Sequence, residues 1–361
     1  MALHRDLVGS RVVVRSLIPG ETGPSGGPAM TDVLGVMVSW TADELTVCRA
    51  NGDVVTLRQA DIVTAKPVPP RPSVRHRVTP AQLQRICSAG WRPVVEESLG
   101  EWLLRAAGGF TCRANSVLMV GDPGLGIDEA LAHVSEFYAR QNLPVLVQVV
   151  AATSAGSGGG SRDQHSAGVD WAQELTGRGW LPARPGQPDV LVQITSVAKA
   201  RRLRGAHSAS TIPDDKVEIG GQLERDWLAL YDRASGHNPE TVETVLTSGD
   251  QVAFVRGGDP AFAIGRGVLI GDWLGVAAVE VAPSHRRQGW GRAIVDALLE
   301  WGASQGALSA YLQILPDNEA ARALYAPYGF ETHSTYRYLG LPELGLPELG
   351  LPELGLPEIG R

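Results

Sequence analysis

The chain has 361 residues, 43% of them apolar, with 39 acidic against 32 basic residues and a formal net charge of −7. That length predicts two or three domains with real cores, and the acidic balance argues against a general nucleic-acid surface. No run of eighteen apolar residues suggests a membrane span, and the opening residues Met1 to Asp6 lack the apolar core of a signal peptide, so a cytoplasmic location is expected. Cys48, Cys87 and Cys112 are widely spaced, without a C-x-x-C or a nearby His pair. Neither a disulfide framework nor a metal site is indicated, and buried free thiols are expected.

Residues 1–67 read as short strands at 11–15, 33–38, 45–48 and 54–57, separated by turns such as Pro19-Gly20 and the hairpin signal Asn51-Gly52-Asp53. A small SH3-like β-barrel is expected, with a flexible loop at 24–28. Its acids and bases nearly balance, which favours docking against the rest of the chain or a partner over binding a peptide or tRNA. Pro67, Pro69, Pro70 and Pro72 make residues 68–78 a stiff linker.

From Thr79 helices alternate with strands. A helix is predicted at 80–87, strands at 102–105 and 116–120, and a helix at 128–138 with Leu131, Val134, Phe137 and Tyr138 in one stripe. A buried strand at 145–150, a helix at 171–176 and a strand at 189–196 follow. Gly121-Asp122-Pro123-Gly124-Leu125-Gly126 lacks the spacing of a phosphate loop, and Pro123 removes an amide donor, so it reads as a turn. Arg105, Arg113, Asn115 and Ser116 form a polar cluster between apolar strands. Stitching hydrogen bonds and a grip on a carboxylate substrate are both open readings. Residues 154–168 are Gly/Ser-rich, a mobile excursion, and the basic run from Lys199 to Arg204 reads as a solvated connector.

The stretch 208–338 opens with a helix at 222–231, whose Leu223, Trp227, Leu230 and Tyr231 share a face, and a second short helix at 242–246. Strands at 252–255, 261–267 and 273–279 lead through Glu280 and Val281 into the turn Arg286-Arg287-Gln288-Gly289-Trp290-Gly291-Arg292. Beyond it Ile294, Val295, Leu298 and Leu299 recur at helical spacing. The first N–H groups of a helix lack internal partners and carry the positive end of its dipole, and glycines let a pyrophosphate approach the main chain. Arg286, Arg287 and Arg292 add charge beside this anion site. Next, a strand ends at Pro316, Asp317 or Asn318 caps a helix carrying Ala321, Leu324 and Tyr325, and Gly329 closes it. The class is α+β, a mixed sheet of five or more strands with helices on its faces.

Arg286, Gly289 and Gly291 fit the R/Q-x-x-G-x-G/A signature of the GNAT superfamily of N-acetyltransferases. Asn318, Ala321, Leu324 and Tyr325, followed by Gly329-Phe330, fill its second signature, N-x-x-A-x-x-L-Y then G-F. Residues 215–338 therefore resemble a GNAT domain, and 79–207 resemble a second, degenerate one without the glycine loop, a tandem arrangement. The resemblance implies acetyl-CoA as cofactor, with its pyrophosphate on residues 286–292. It implies pantetheine contacts from Val279, Val281 and Asn318, and Tyr325 as proton donor to the sulfur. Glu280 is a candidate base, with Glu218, His237 and Glu243 as further candidates. The whole arrangement resembles a bacterial group in which N-acetylglutamate synthase activity is ascribed to some members. An amino-acid acceptor such as glutamate is thus expected, with Arg105, Arg113, Arg256 and Arg266 available to its carboxylates. The alternatives are a protein lysine or N-terminal acetyltransferase and a CoA-binding module without catalysis.

The domains expected are 1–67, the linker 68–78, the degenerate half 79–207, the catalytic half 208–338 and a tail, 339–361. That tail repeats Gly-Leu-Pro-Glu-Leu. A Pro in every repeat blocks both a long helix and a central strand, so it is expected to be disordered and outside the chemistry.

Overall fold

The computed structural model describes residues 8, 11–23, 26–49, 53–68, 78–152, 169–184, 186, 188–206 and 212–341. The tip of the loop expected at 24–28, the turn at 51–52, linker residues 69–77, the excursion at 154–168 and the tail from 342 lie outside those residues. Two compact units emerge, Met1–Val74 and Arg75–Arg361.

In the first unit β1 (Arg11–Thr22), β2 (Pro28–Trp40), β3 (Glu44–Cys48), β4 (Val54–Arg58) and β5 (Ile62–Pro67) form one antiparallel sheet in the order β4-β3-β2-β1-β5. Side chains alternate across a strand, which gathers Val12, Val14, Val33, Met37, Leu45 and Val47 into one core. β5 was not foreseen. It runs through Pro67, which pairs with Val12 at the sheet edge, where a missing N–H is tolerated.

The first half of the larger unit contains α1 (Pro80–Ala89), β6 (Val95–Leu99), β7 (Trp102–Ala106), β8 (Val117–Met119), α2 (Ile127–Arg140), β9 (Leu146–Ala152), α3 (Trp171–Gly177), β10 (Leu181–Pro182), β11 (Val190–Ser196) and α4 (Val197–Ala206). The second half contains β12 (Val217–Gly220), α5 (Arg225–Leu230), α6 (Pro239–Leu246), β13 (Gln251–Gly257), β14 (Ala263–Ile270), β15 (Trp273–Val281), α7 (Trp290–Ser304), β16 (Ser309–Ile314), α8 (Glu319–Tyr325) and β17 (Glu331–Gly340). Local chemistry sets the helix starts. Thr79 and Gln82 make a reciprocal capping box for α1, while Asn238 and Asn318 accept from the first-turn amides of α6 and α8.

The halves do not pack as separate domains. They share one sheet, β12-β13-β14-β15-β16-β11-β17-β9-β8-β7-β6, with β10 on β17. Each half contributes a parallel pair, β8 with β9 and β15 with β16. Each pair is then flanked by the other half's last long strand: β11 lies antiparallel to β16, and β17 antiparallel to β9. β11 and β17 pair with one another at the centre.

The run expected to be a solvated connector is α4. Val197 and Ala200 bury into the core with Ile294, Leu298 and Leu299 of α7. Arg201 pairs with Glu300 and Arg204 with Asp296 and Glu300, so its charges serve a packed helix. Gly121 and Gly124 take φ of 84° and 73°, making the expected turn. Cys87 is buried, whereas Cys48 and Cys112 are half-exposed, and all three are free thiols. Among the described residues no helix is long and apolar enough to cross a membrane, and no group of three or more His, Cys, Asp or Glu side chains could hold a metal.

Candidate functional site

The site forms where β15 leaves β16. The two strands pair only from Trp273 to Gly275 against Ser309 to Tyr311. Beyond that the register of β15 on β14 shifts between Ile264 and Arg266, and Ala278 adopts φ 51°. A bulge of this kind bends a strand and increases its twist, which carries Val279 to Val281 away from β16. The Ala282 N–H donates to Phe262 O at the entry to β14. Strand alternation therefore turns the N–H groups of Val281 and Val279 to the other edge, the one facing the opened notch.

The glycine turn closes one end of this notch. Gly289 sits at φ 96° as the residue before α7, and no side chain caps that helix. The first-turn amides of Trp290, Gly291 and Arg292 lack carbonyl partners within the helix. Arg286 Nε donates to Val281 O at 3.0 Å and Gln288 Nε2 to Ser284 O at 3.0 Å, tying the turn to the strand end. Arg286, Arg287 and Gln288 are exposed; Trp290 and Arg292 are half-buried. His285 stacks on Phe262 at 3.9 Å, and Phe262 meets Trp290 edge-on at 4.7 Å. A Cβ on Gly291 would stand 3.6 Å from Leu324 of α8 and 3.8 Å from Val281, so both sequence signatures meet at this turn. Next to Leu324, Tyr325 is buried with its ring edge-on to Phe330 at 5.8 Å, and burial pushes its phenol above the usual range. Asn318 Oδ1 accepts from Ala321 N at 2.9 Å, so that oxygen caps α8.

Glu280 lies on the opposite face from Val279 and Val281, as alternation requires, but it is not a surface charge. It is half-buried beside the turn that follows α5, with Asp232 N donating to its Oε2 at 3.4 Å. Burial raises its pKa, and nearby Arg233 partly offsets that. Of the other candidate bases, Glu218 is held in an ion pair with Arg256, and Glu243 is exposed on α6. His237 rests edge-on against Phe110 at 5.4 Å with its pKa lowered by burial.

The four arginines expected to grip carboxylates do not converge. Arg105 is fully buried and donates to Ser116 O, Ser116 Oγ, Ser88 Oγ and Gln148 Oε1. Arg266, also fully buried, donates to Leu246 O, Gly90 O and Ser248 O, and desolvation lowers its pKa to about 10. Arg256 answers Glu218, Glu224 and Asp226. Burial was invisible in the sequence, and these three guanidinium groups are spent on structure. Arg266, held by its three carbonyls, lines the small cavity at the opening of the notch together with Arg113. Asn115 and Ser116 stitch its loop: Asn115 Oδ1 accepts from Ala107 N and Gly109 N, its Nδ2 donates to Phe110 O and Thr111 O, and Ser116 Oγ donates to Cys112 O. Trp91, Tyr311 and Gln313 line the same small cavity as Arg113, and no spacing rule would have picked them out.

The family model for the "Probable histone acetyltransferase Rv0428c C-terminal" matches residues 174–339. A Bacillus subtilis protein named "Uncharacterized N-acetyltransferase YobR" is 24% identical over 260 residues, 71% of this chain and 96% of that one. The matched region is a GNAT-type N-acetyltransferase domain. Acetyl-CoA is the acyl donor of that family. A Mycobacterium tuberculosis protein named "Probable histone acetyltransferase Rv0428c" is 25% identical to this acetyltransferase over 341 residues, 92% of this chain and 95% of its own. The solved GCN5-related N-acetyltransferase from Kribbella flavida shares the fold, at 15% identity and TM-score 0.50 over 73% of this chain and 95% of that one. Residues 7–66 match the "Rv0428c N-terminal Sm-like domain", which corrects the expected SH3-like barrel. Strand number and alternation suited either fold, and the described sheet keeps β4 and β5 at opposite edges.

Proposed function

We propose that the chain acetylates a primary amine by direct attack on acetyl-CoA held along β15 and the Gly289 turn. The observation that carries this reading is the convergence of the open β15 edge, the uncapped start of α7 and the α8 end at one notch. The donor set suits the cofactor: amides and arginines for a diphosphate, strand N–H groups for an amide-rich arm. Arg286, Arg287, Gln288, Gly289, Trp290, Gly291 and Arg292 would hold the diphosphate, and Val279, Val281 and Asn318 the arm. The thioester supplies the electrophilic carbonyl.

Glu280 takes the proton of the incoming ammonium, directly or through water, which frees the nitrogen lone pair. A strand N–H polarises the carbonyl oxygen as charge builds there. As the C–N bond forms and the C–S bond breaks, Tyr325 gives its proton to the departing sulfur. An amino acid such as glutamate is the acceptor we favour. A protein amine is the second reading, favoured by the name of the M. tuberculosis relative matched over most of this chain. Thiol release from acetyl-CoA with a panel of amino acids and added proteins tests both. No release above hydrolysis with any amine, despite coenzyme binding, would leave only a binding module.

Glu280→Gln is expected to lower turnover about 100-fold. Because burial lifts the Glu280 pKa, wild-type activity should rise with pH through a limb lying above the ordinary carboxylate range. The variant should lack that limb; an unchanged pH–rate profile would remove Glu280 from the chemistry. A side chain at Gly289 meets a left-handed backbone, strained by about 1–2 kcal/mol. Gly289→Ala should therefore weaken acetyl-CoA binding roughly 10-fold. A methyl at Gly291 meets no protein atom closer than 3.6 Å, so the loss of affinity in Gly291→Ala should come from the methyl standing between the main chain and the diphosphate. Titration calorimetry measures both, and wild-type affinity in both variants would detach the turn from the coenzyme.

A further inference from the structure

Where β15 and β16 part, the structure leaves a cavity of about 10 Å³, room for about one water. Ala277 of β15 lines one side, Tyr311 and Gln313 of β16 the other, and Trp91, Arg113 and Arg266 close it. The two strands pair only as far as Gly275 and Tyr311, so the cavity occupies the apex of the notch. A coenzyme with its diphosphate on the Gly289 turn and its arm along Val281 and then Val279 runs toward Ala277, and its acyl end arrives at this apex.

The lining is rich in donors, and its acceptors are already taken. Trp91 lies between two guanidinium groups, Arg113 at 4.3 Å and Arg266 at 5.0 Å from its ring centre. Gln313 Oε1 accepts from Arg113 Nη1 at 3.3 Å and from Tyr336 Oη at 2.9 Å, and Gly90 O accepts from Arg266 Nη1 at 3.1 Å. Tyr311 is different. It is 5% exposed, and its hydroxyl has no hydrogen-bond partner among the described residues. Two glycines make room for that oxygen: a Cβ on Gly90 or on Gly275 would stand 2.5 Å from it. A buried hydroxyl left unpaired costs about 1–3 kcal/mol, so a group kept in this state calls for a partner that arrives from outside the chain. Burial raises the phenol above its usual range, so at neutral pH it carries a proton to offer.

We propose that Tyr311 is a catalytic residue whose hydroxyl donates a hydrogen bond to the carbonyl oxygen of the bound acyl group, across the notch from the strand N–H, with Arg113 and Arg266 behind it. This rests on the acetyl-transfer reading above and adds a second donor to it. A carbonyl oxygen only accepts, which suits a donor-lined space of this size. As the amine nitrogen adds to the carbonyl carbon, the C=O π pair moves onto that oxygen, and it returns when the C–S bond breaks. Tyr311 keeps its proton throughout. Negative charge on the oxygen is greatest between those two events, so the contact strengthens as the barrier is crossed.

The test uses the full chain and acetyl-CoA labelled with carbon-13 at the carbonyl. Infrared spectroscopy reads the carbonyl band of the bound thioester, calorimetry reads coenzyme affinity and Tm reads the fold. Wild type should hold the band at lower wavenumber than free acetyl-CoA, and Tyr311→Phe should give back part of that displacement. Because the hydroxyl bonds no described group of the protein, the variant should melt at or above the wild-type Tm. Its acetyl-CoA affinity should stay within about threefold. With any amine of the panel that wild type acetylates, kcat should fall roughly 100-fold while KM for the amine is unchanged. A band at the same position in wild type and variant, or turnover within about threefold, would overturn the proposal and leave a water as the occupant. A loss confined to the KM of the amine would overturn it too, by giving the cavity to the acceptor. Failure of wild type to bind acetyl-CoA, or binding with no amine acetylated, would instead overturn the acetyl-transfer reading, and the catalytic role with it.

Discussion

Replacing Tyr325 by Phe is expected to leave acetyl-CoA affinity within about twofold and to lower turnover roughly 100-fold. The substitution removes one oxygen and keeps the ring that packs against Phe330 at the end of α8, so the fold and the coenzyme groove should persist. What is lost is the proton for the leaving sulfur. A thiolate departs without it, but more slowly. Burial holds the phenol above its usual range, so the donor stays protonated through neutral and moderately alkaline pH, and no alkaline limb there should belong to it. The deficit should shrink with an acyl donor whose thiol is more acidic, because such a leaving group needs less protonation. Single-turnover kinetics with acetyl-CoA and an activated thioester separates these cases. An equal deficit with both donors, or none with either, would mean that Tyr325 only packs.

The largest stability effect is expected at Arg266. Arg266→Met removes a guanidinium that donates at 2.5 Å to Leu246 O, 3.1 Å to Gly90 O and 2.6 Å to Ser248 O. Methionine fills much of the volume but leaves three carbonyls facing an apolar side chain. Each buried unsatisfied group costs about 1–3 kcal/mol, so a loss of about 3 kcal/mol or more is expected. For a unit of this size that lowers Tm by on the order of 6–12 °C. Arg266→Lys should fall between the two, since an ammonium on a single stem cannot span three acceptors. Gly90 belongs to the first half of the unit and the other two carbonyls to the second, so the loss should broaden or split the thermal transition seen by calorimetry. A shift under about 2 °C would show that water replaces the guanidinium.

Features set by local backbone chemistry could be read in the sequence. Gly289 is needed where φ is positive, Asn318 where a helix begins, and the apolar stripe of α7 where it meets the sheet; all three are local signals. Pairings between distant strands have no such signal. Nothing in residues 190–196 says that they lie between β16 and β17 rather than beside their own half, because a buried strand reads alike wherever it is inserted. Charge was similarly misleading. Arg105 and Arg266 looked like substrate ligands because burial and backbone carbonyl partners leave no trace in residue type, and Arg256 because its partners Glu218, Glu224 and Asp226 lie far from it in sequence. The first unit was read as the wrong small β fold because its last strand ran into prolines taken for a linker.

The exchange of β11 and β17 bears on how this gene can change. A shortened product beginning near residue 208 would expose the edge of β16 that β11 covers, and a bare edge recruits other chains. The half without the glycine loop is therefore tied to its partner by the strand it lends, and a deletion that removed it would trade a covered edge for a sticky one.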